Sequence, residues 1–68
     1  MKVKDFINTF EIVDNAVFVD NKTGEQLFQI LRNFKRITPD MIPENILDME
    51  VKSLCGARAQ HKIAIYVK

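Results

Sequence analysis

Ala16-Val17-Phe18-Val19-Asp20-Asn21-Lys22-Thr23-Gly24-Glu25-Gln26-Leu27-Phe28-Gln29-Ile30-Leu31 is the stretch on which the fold turns. Ala16 to Val19 is a compact β-branched and aromatic run, and a turn at Asp14 and Asn15 precedes it. Asp20 to Glu25 is the strongest turn signal in the chain. Asp and Asn tolerate the left-handed region, and Gly24 takes a positive φ at no steric cost. Apolar residues return at Leu27, Phe28, Ile30 and Leu31. Two extended runs around a glycine-containing loop predict a β-hairpin. The second arm has a rival reading, because Leu27, Ile30, Leu31 and Phe34 also fit helical spacing. Gln26 to Phe34 thus stays open between strand and helix, with a strand through about Leu31 the favoured reading.

Working outward, Val3, Phe6, Ile7 and Phe10 fall at i, i+3, i+4 and i+7, one face of a short amphipathic helix. A helix of about two turns does not hold itself together in water, so its stripe packs on the body of the protein. Phe6 and Phe10 are read as plugs of a small core. On the other side, Pro39 and Pro43 restrict the connection from Lys35 to Pro43. Pro43 suits the first position of a short helix, Pro43 to Asp48, with Glu44 near its positive end and Ile46 and Leu47 inward. A strand is expected over Met49 to Leu54, then a loop containing Gly56. In Lys62-Ile63-Ala64-Ile65-Tyr66-Val67-Lys68, Ile63, Ile65 and Val67 share one face, and Lys62, Ala64, Tyr66 and Lys68 share the other. The order helix, strand, strand, short helix, strand, strand predicts an α+β fold. It is a mainly antiparallel sheet with helices packed on one face, in one small domain spanning 1–68.

The chain has 68 residues and a mass of 7.9 kDa, with 47% apolar and 28% charged residues. A chain of this size buries only about 60% of its unfolded surface, so the core is thin. The net charge of +1 excludes a uniformly basic nucleic-acid glove and an acidic decoy. Cys55 is the single cysteine, so no intrachain disulfide forms, and the absence of such a staple favours a reducing cytoplasm. The first residues alternate charge with single apolar positions rather than forming the apolar run of a secretory leader. The longest apolar run, Ile63 to Val67, is far short of the ~20 residues of a membrane helix. A soluble cytoplasmic protein away from membranes is expected.

Catalytic chemistry finds little support. His61 is the single histidine, with no second histidine or cysteine at metal-ligand spacing. Cys55 and His61 could meet across the last loop as a thiolate pair, but no third group is present to orient them. A buried core thiol is the plainer reading of Cys55. Gly24 and Gly56 are the two glycines, too few for a phosphate-cradling loop. Asp40, Glu44 and Asp48 recur every fourth residue, but Pro43 interrupts that helix and a solvated acidic surface results. The chain is read as a non-enzyme, with no catalytic, cofactor-binding or metal residue assigned.

Charge distribution says more than its sum. Asp40, Glu44, Asp48 and Glu50 occupy Ile37 to Val51 without a base, whereas Lys52, Arg58, Lys62 and Lys68 follow without an acid. The last hairpin is therefore locally basic. Lys62, Tyr66 and Lys68, with Arg58 and Lys52, are the candidate partner contacts. A tyrosine between lysines on a sheet can stack a base and hold phosphates. The plainer account has the lysines guarding a sheet edge and Tyr66 packing over the second helix with its hydroxyl in water.

Val3-Lys4-Asp5-Phe6-Ile7, Asn21-Lys22-Thr23-Gly24-Glu25, Ile42-Pro43-Glu44-Asn45-Ile46-Leu47-Asp48-Met49-Glu50-Val51 and Ile63-Ala64-Ile65-Tyr66-Val67 together carry a resemblance. Over these pieces the chain resembles small uncharacterised proteins encoded by phages and prophages of Gram-positive bacteria. The stretch from Arg32 to Met41 departs from that pattern, being longer and more basic at its start. The resemblance implies a small cytoplasmic accessory protein of a mobile element, and it transfers no catalytic residue. The expectation is a non-enzymatic protein-interaction module with a protein partner of unknown identity. The alternative is a nucleic-acid-binding accessory protein using the basic C-terminal hairpin. A homodimer is also expected, because a thin core gains from an interface and the acidic and basic segments are complementary.

Overall fold

The computed structural model describes residues 1–10, 15–31, 36–57 and 62–68. In chain order the elements are α1 (Val3–Thr9), β1 (Asn15–Asp20), β2 (Gln26–Ile30), a 3-10 turn (Pro39–Met41), α2 (Glu44–Leu47), β3 (Val51–Ala57) and β4 (Lys62–Val67). This is the α+β order anticipated from the sequence. Among the described residues, no helix is long and apolar enough to cross a membrane.

The β1–β2 loop forms as its residues dictate. Asp20 Oδ1 accepts the N–H of Lys22 at 2.8 Å and that of Thr23 at 3.4 Å, while Thr23 Oγ1 accepts the N–H of Glu25 at 3.2 Å. Gly24 sits at φ 77°, where a side chain would be strained. The strand reading of the second arm holds as far as Leu31: β2 runs from Gln26 to Ile30, Leu31 beyond it is 64% exposed, and Arg32 to Phe34 lie outside the described residues. The helical periodicity lost because Phe28 and Ile30 pair with Phe18 and Ala16 across the hairpin. A bulge at this pairing sets Gln26, and not Leu27, opposite Val19. Gln26 and Gln29 consequently share a face, and the amide of Gln26 donates to that of Gln29 at 3.3 Å.

The four strands lie in the order β2-β1-β4-β3. Both hairpins are antiparallel, but the two central strands, β1 and β4, run parallel, with Ala16 opposite Ile63 and Phe18 opposite Ile65. On one face, Val3, Phe6 and Ile7 of α1, Ile42, and Ile46 of α2 pack against Ala16, Phe18, Ile30, Ile65 and Val67. That cluster is the core.

Four expectations need correction. Phe10 does not plug the core: it is 50% exposed, its ring leaning on Phe6 at 5.1 Å, because α1 ends at Thr9. The third strand is shifted two to three residues toward the C-terminus, since Met49 closes a turn onto Ile46 and Gly56 continues the ladder opposite Ile63. Cys55 is exposed on this outermost strand rather than buried. Tyr66 does not lie over the second helix, because its partners across the sheet, Val19 and Ser53, share the face away from the core cluster.

Candidate interaction face

Strand pairing assembles the face that, among the described residues, no helix covers. One row across the sheet reads Gln29, Val17, Ala64, Cys55, and the next reads Gln26, Val19, Tyr66, Ser53. Val17 is only 5% exposed, yet it stands outside the helix-side cluster. Val19, Ala64 and Tyr66 are half-buried around it. The centre of the face is therefore aliphatic with one tyrosine. Amides border it on β2, and a hydroxyl and a thiol border it on β3.

The charged residues sit around this centre. Lys62 lies at one end, opposite Asn15 of β1. Lys68 lies at the other end and exchanges backbone hydrogen bonds with Glu50, at 3.1 and 2.9 Å. Lys52 is exposed in the bulge where both it and Ser53 oppose Tyr66. Glu50 is the acid of this border. The Met1 ammonium donates to its Oε2 at 3.0 Å and, by that bond and its charge, holds the carboxyl below the ordinary carboxylate range. Lys2 and Lys52 lower it further. With Glu50 held by the amino group, the border presents lysine charge.

Compared with protein-family models, curated proteins and solved structures, the chain matches none.

The alternation read in the last strand brings Lys62, Tyr66 and Lys68 to one face, and the bulge adds Lys52 beside them. Arg58 lies outside the described residues, and so does His61, together with its suggested pairing with Cys55. Asp40, Glu44 and Asp48 are exposed, in and beside the short helical segments. Among the described residues, no three histidine, cysteine or carboxylate side chains gather where they could hold a metal ion. Val17, Val19, Gln26 and Gln29 were not singled out from the sequence. The signal was present: Ala16 to Val19 is apolar at both parities, which a strand with one face in water does not require.

Proposed function

We propose that the chain is a non-enzymatic protein-interaction module that docks a partner protein on the open face of its sheet. The observation that carries this reading is the apolar band of Val17, Val19, Ala64 and Tyr66 on the face away from the core cluster. An apolar centre inside a polar rim is the anatomy of a protein interface. The lysines at 52, 62 and 68 match a partner whose rim is acidic, and such complementarity sets orientation and association rate more than affinity.

A nucleic-acid reading draws on the line Lys62, Tyr66, Lys68. It is the weaker of the two, because sheet modules that bind RNA stack two or three bases on as many aromatic rings. This face offers one ring among aliphatic side chains. A cytoplasmic accessory role completes the proposal. It is supported by the resemblance to phage-encoded proteins and by a thiol, Cys55, left exposed and unpaired in a disulfide.

The test is recovery of a stoichiometric partner from host cells by the tagged chain and by two variants. Val19→Glu with Tyr66→Glu alters the open face, and Asn8→Glu alters the exposed side of α1. The chain and the α1 variant retain the same protein, and the face variant loses it. Equal retention by both variants contradicts the proposal. Recovery of nucleic acid in place of protein, released steeply by salt, establishes the other reading.

A further inference from the structure

We infer that two copies of the chain pair antiparallel along the outer edge of β3, about a two-fold axis at Cys55, and so join their sheets. The inference goes beyond the docking reading and needs nothing from it.

The edge is partly occupied by the chain itself. The N–H of Val3 donates to the Met49 carbonyl at 2.9 Å, and that of Val51 donates to the Met1 carbonyl at 2.8 Å. At Val3 the chain turns into α1 and leaves the edge. From Ser53 to Ala57, no described residue pairs with the outer side of β3. Lys52 to Gly56 are exposed, and Leu54 is 48% exposed, large for an aliphatic side chain on a strand. An unpaired edge of this kind is a template for another strand.

The direction of the backbone groups fixes the register. Asn21 donates to the Val67 carbonyl, so Val67 and its alternate neighbours Ile65 and Ile63 turn their backbone toward β1. Lys68 exchanges bonds with Glu50, so the even residues of β4 turn toward β3. In an antiparallel ladder, the residues opposite Ile65 and Ile63 then turn their N–H and C=O outward. Those residues are Leu54 and Gly56. They are the two outward residues of the free segment, and Cys55 stands midway between them. Antiparallel pairing of this segment with itself sets Leu54 against Gly56 of the second copy, Gly56 against Leu54, and Cys55 against Cys55.

Shape and charge agree with a second copy as the occupant. Leu54 and Gly56 are on the helix side of the sheet, and among the described residues, its own chain neighbours aside, no atom lies within 4 Å of where a Gly56 Cβ would stand. Each Leu54 therefore finds room over the opposing glycine. Ser53 to Ala57 carries no charge, so pairing desolvates no ion. A register centred one residue earlier would bring the second strand against the Met1–Val51 bond, so the chain's own first residues select the axis at Cys55. The paired segment is short, and the dimer it makes is weak and concentration-dependent.

In such a pair the Cys55 residues form a non-hydrogen-bonded couple with Cα atoms about 4.5 Å apart, within the span a disulfide accepts. The full chain is treated with diamide, which is reduced as two thiols lose two protons and two electrons to form the S–S bond. A Cys55-linked dimer forms, and amide exchange at Leu54 and Gly56 slows as protein concentration rises before any oxidation. Moving the thiol one residue, with Leu54→Cys in a Cys55→Ser background, loses the cross-link because glycine then stands opposite. Gly56→Pro removes an outward N–H without touching the β3–β4 ladder and loses the concentration dependence. Leu54→Lys does the same should the proline disturb folding. Equal cross-linking from both thiol positions, or exchange at Leu54 and Gly56 that ignores concentration, overturns the inference.

Discussion

At the scale of single residues, side chains of one type take opposite roles according to where an element stops. Phe18 and Phe10 are both phenylalanines in apolar patterns, but Phe18 is fully buried and Phe10 is half exposed beyond the end of α1. Phe18→Ala should cost about 3–5 kcal/mol, enough to unfold a domain of this size, whereas Phe10→Ala should cost far less. Urea denaturation of the two variants checks the contrast. Gly24 is the position where backbone conformation decides, and Gly24→Ala should destabilise by about 1 kcal/mol through its φ of 77°. Glu50 supplies a pH dependence. Its folded-state carboxyl is lowered, first by the hydrogen bond from the Met1 ammonium, so its contribution is present above the ordinary carboxylate value. That contribution is lost as pH falls through the lowered folded-state value. Glu50→Gln should flatten the acid side of a stability–pH profile in this window, and an unchanged profile would show the ion pair to be without effect.

At the scale of elements, the sequence was legible where one periodicity had no rival. The alternation in Lys62 to Lys68 places Ile65 and Val67 in the core and Tyr66 away from it, as the strand is built. Ile65→Ala should therefore cost about 2–5 kcal/mol, and Tyr66→Ala clearly less, because the tyrosine lies on the open face. Equal losses in thermal unfolding would mean that Tyr66 is part of the core after all. The second hairpin arm was ambiguous for a physical reason. Helical and extended spacings coincide over so short a stretch, and cross-strand pairing of Phe28 and Ile30 chooses between them. The bulge at Leu27 left no mark in the apolar pattern, because Leu27 packs against the core cluster as an ordinary strand residue would. The start of β3 differs because Met49 closes the turn onto Ile46, a backbone contact that the apolar pattern of Met49 to Leu54 does not show.

At the scale of the whole molecule, the main surprise is the parallel pair at the sheet's centre. Two hairpins in sequence invite a meander, yet β1 and β4 meet in the middle and β2 and β3 form the edges. Composition contains the reason. Ala16 to Val19 and Ile63 to Val67 are the most continuous apolar runs, and the strands they form are the two with a neighbour along each edge. The more polar strands go outside. Amide exchange should accordingly be slowest in β1 and β4, since these strands have neighbours on both sides. The same arrangement produces the candidate site. Two central apolar strands with helices over one face leave Val17, Val19, Ala64 and Tyr66 on the other. Lys62, Tyr66 and Lys68 were legible from alternation alone, but the aliphatic part of the face needed the pairing of β1 with β4. The most direct test of the docking proposal is methyl and amide shift mapping of the labelled chain in complex with its co-purified partner. Changes concentrated at Val17, Val19, Ala64 and Tyr66, with Lys4, Asn8 and Asn45 unmoved, are the predicted result. Changes confined to the exposed sides of α1 and α2 would contradict it.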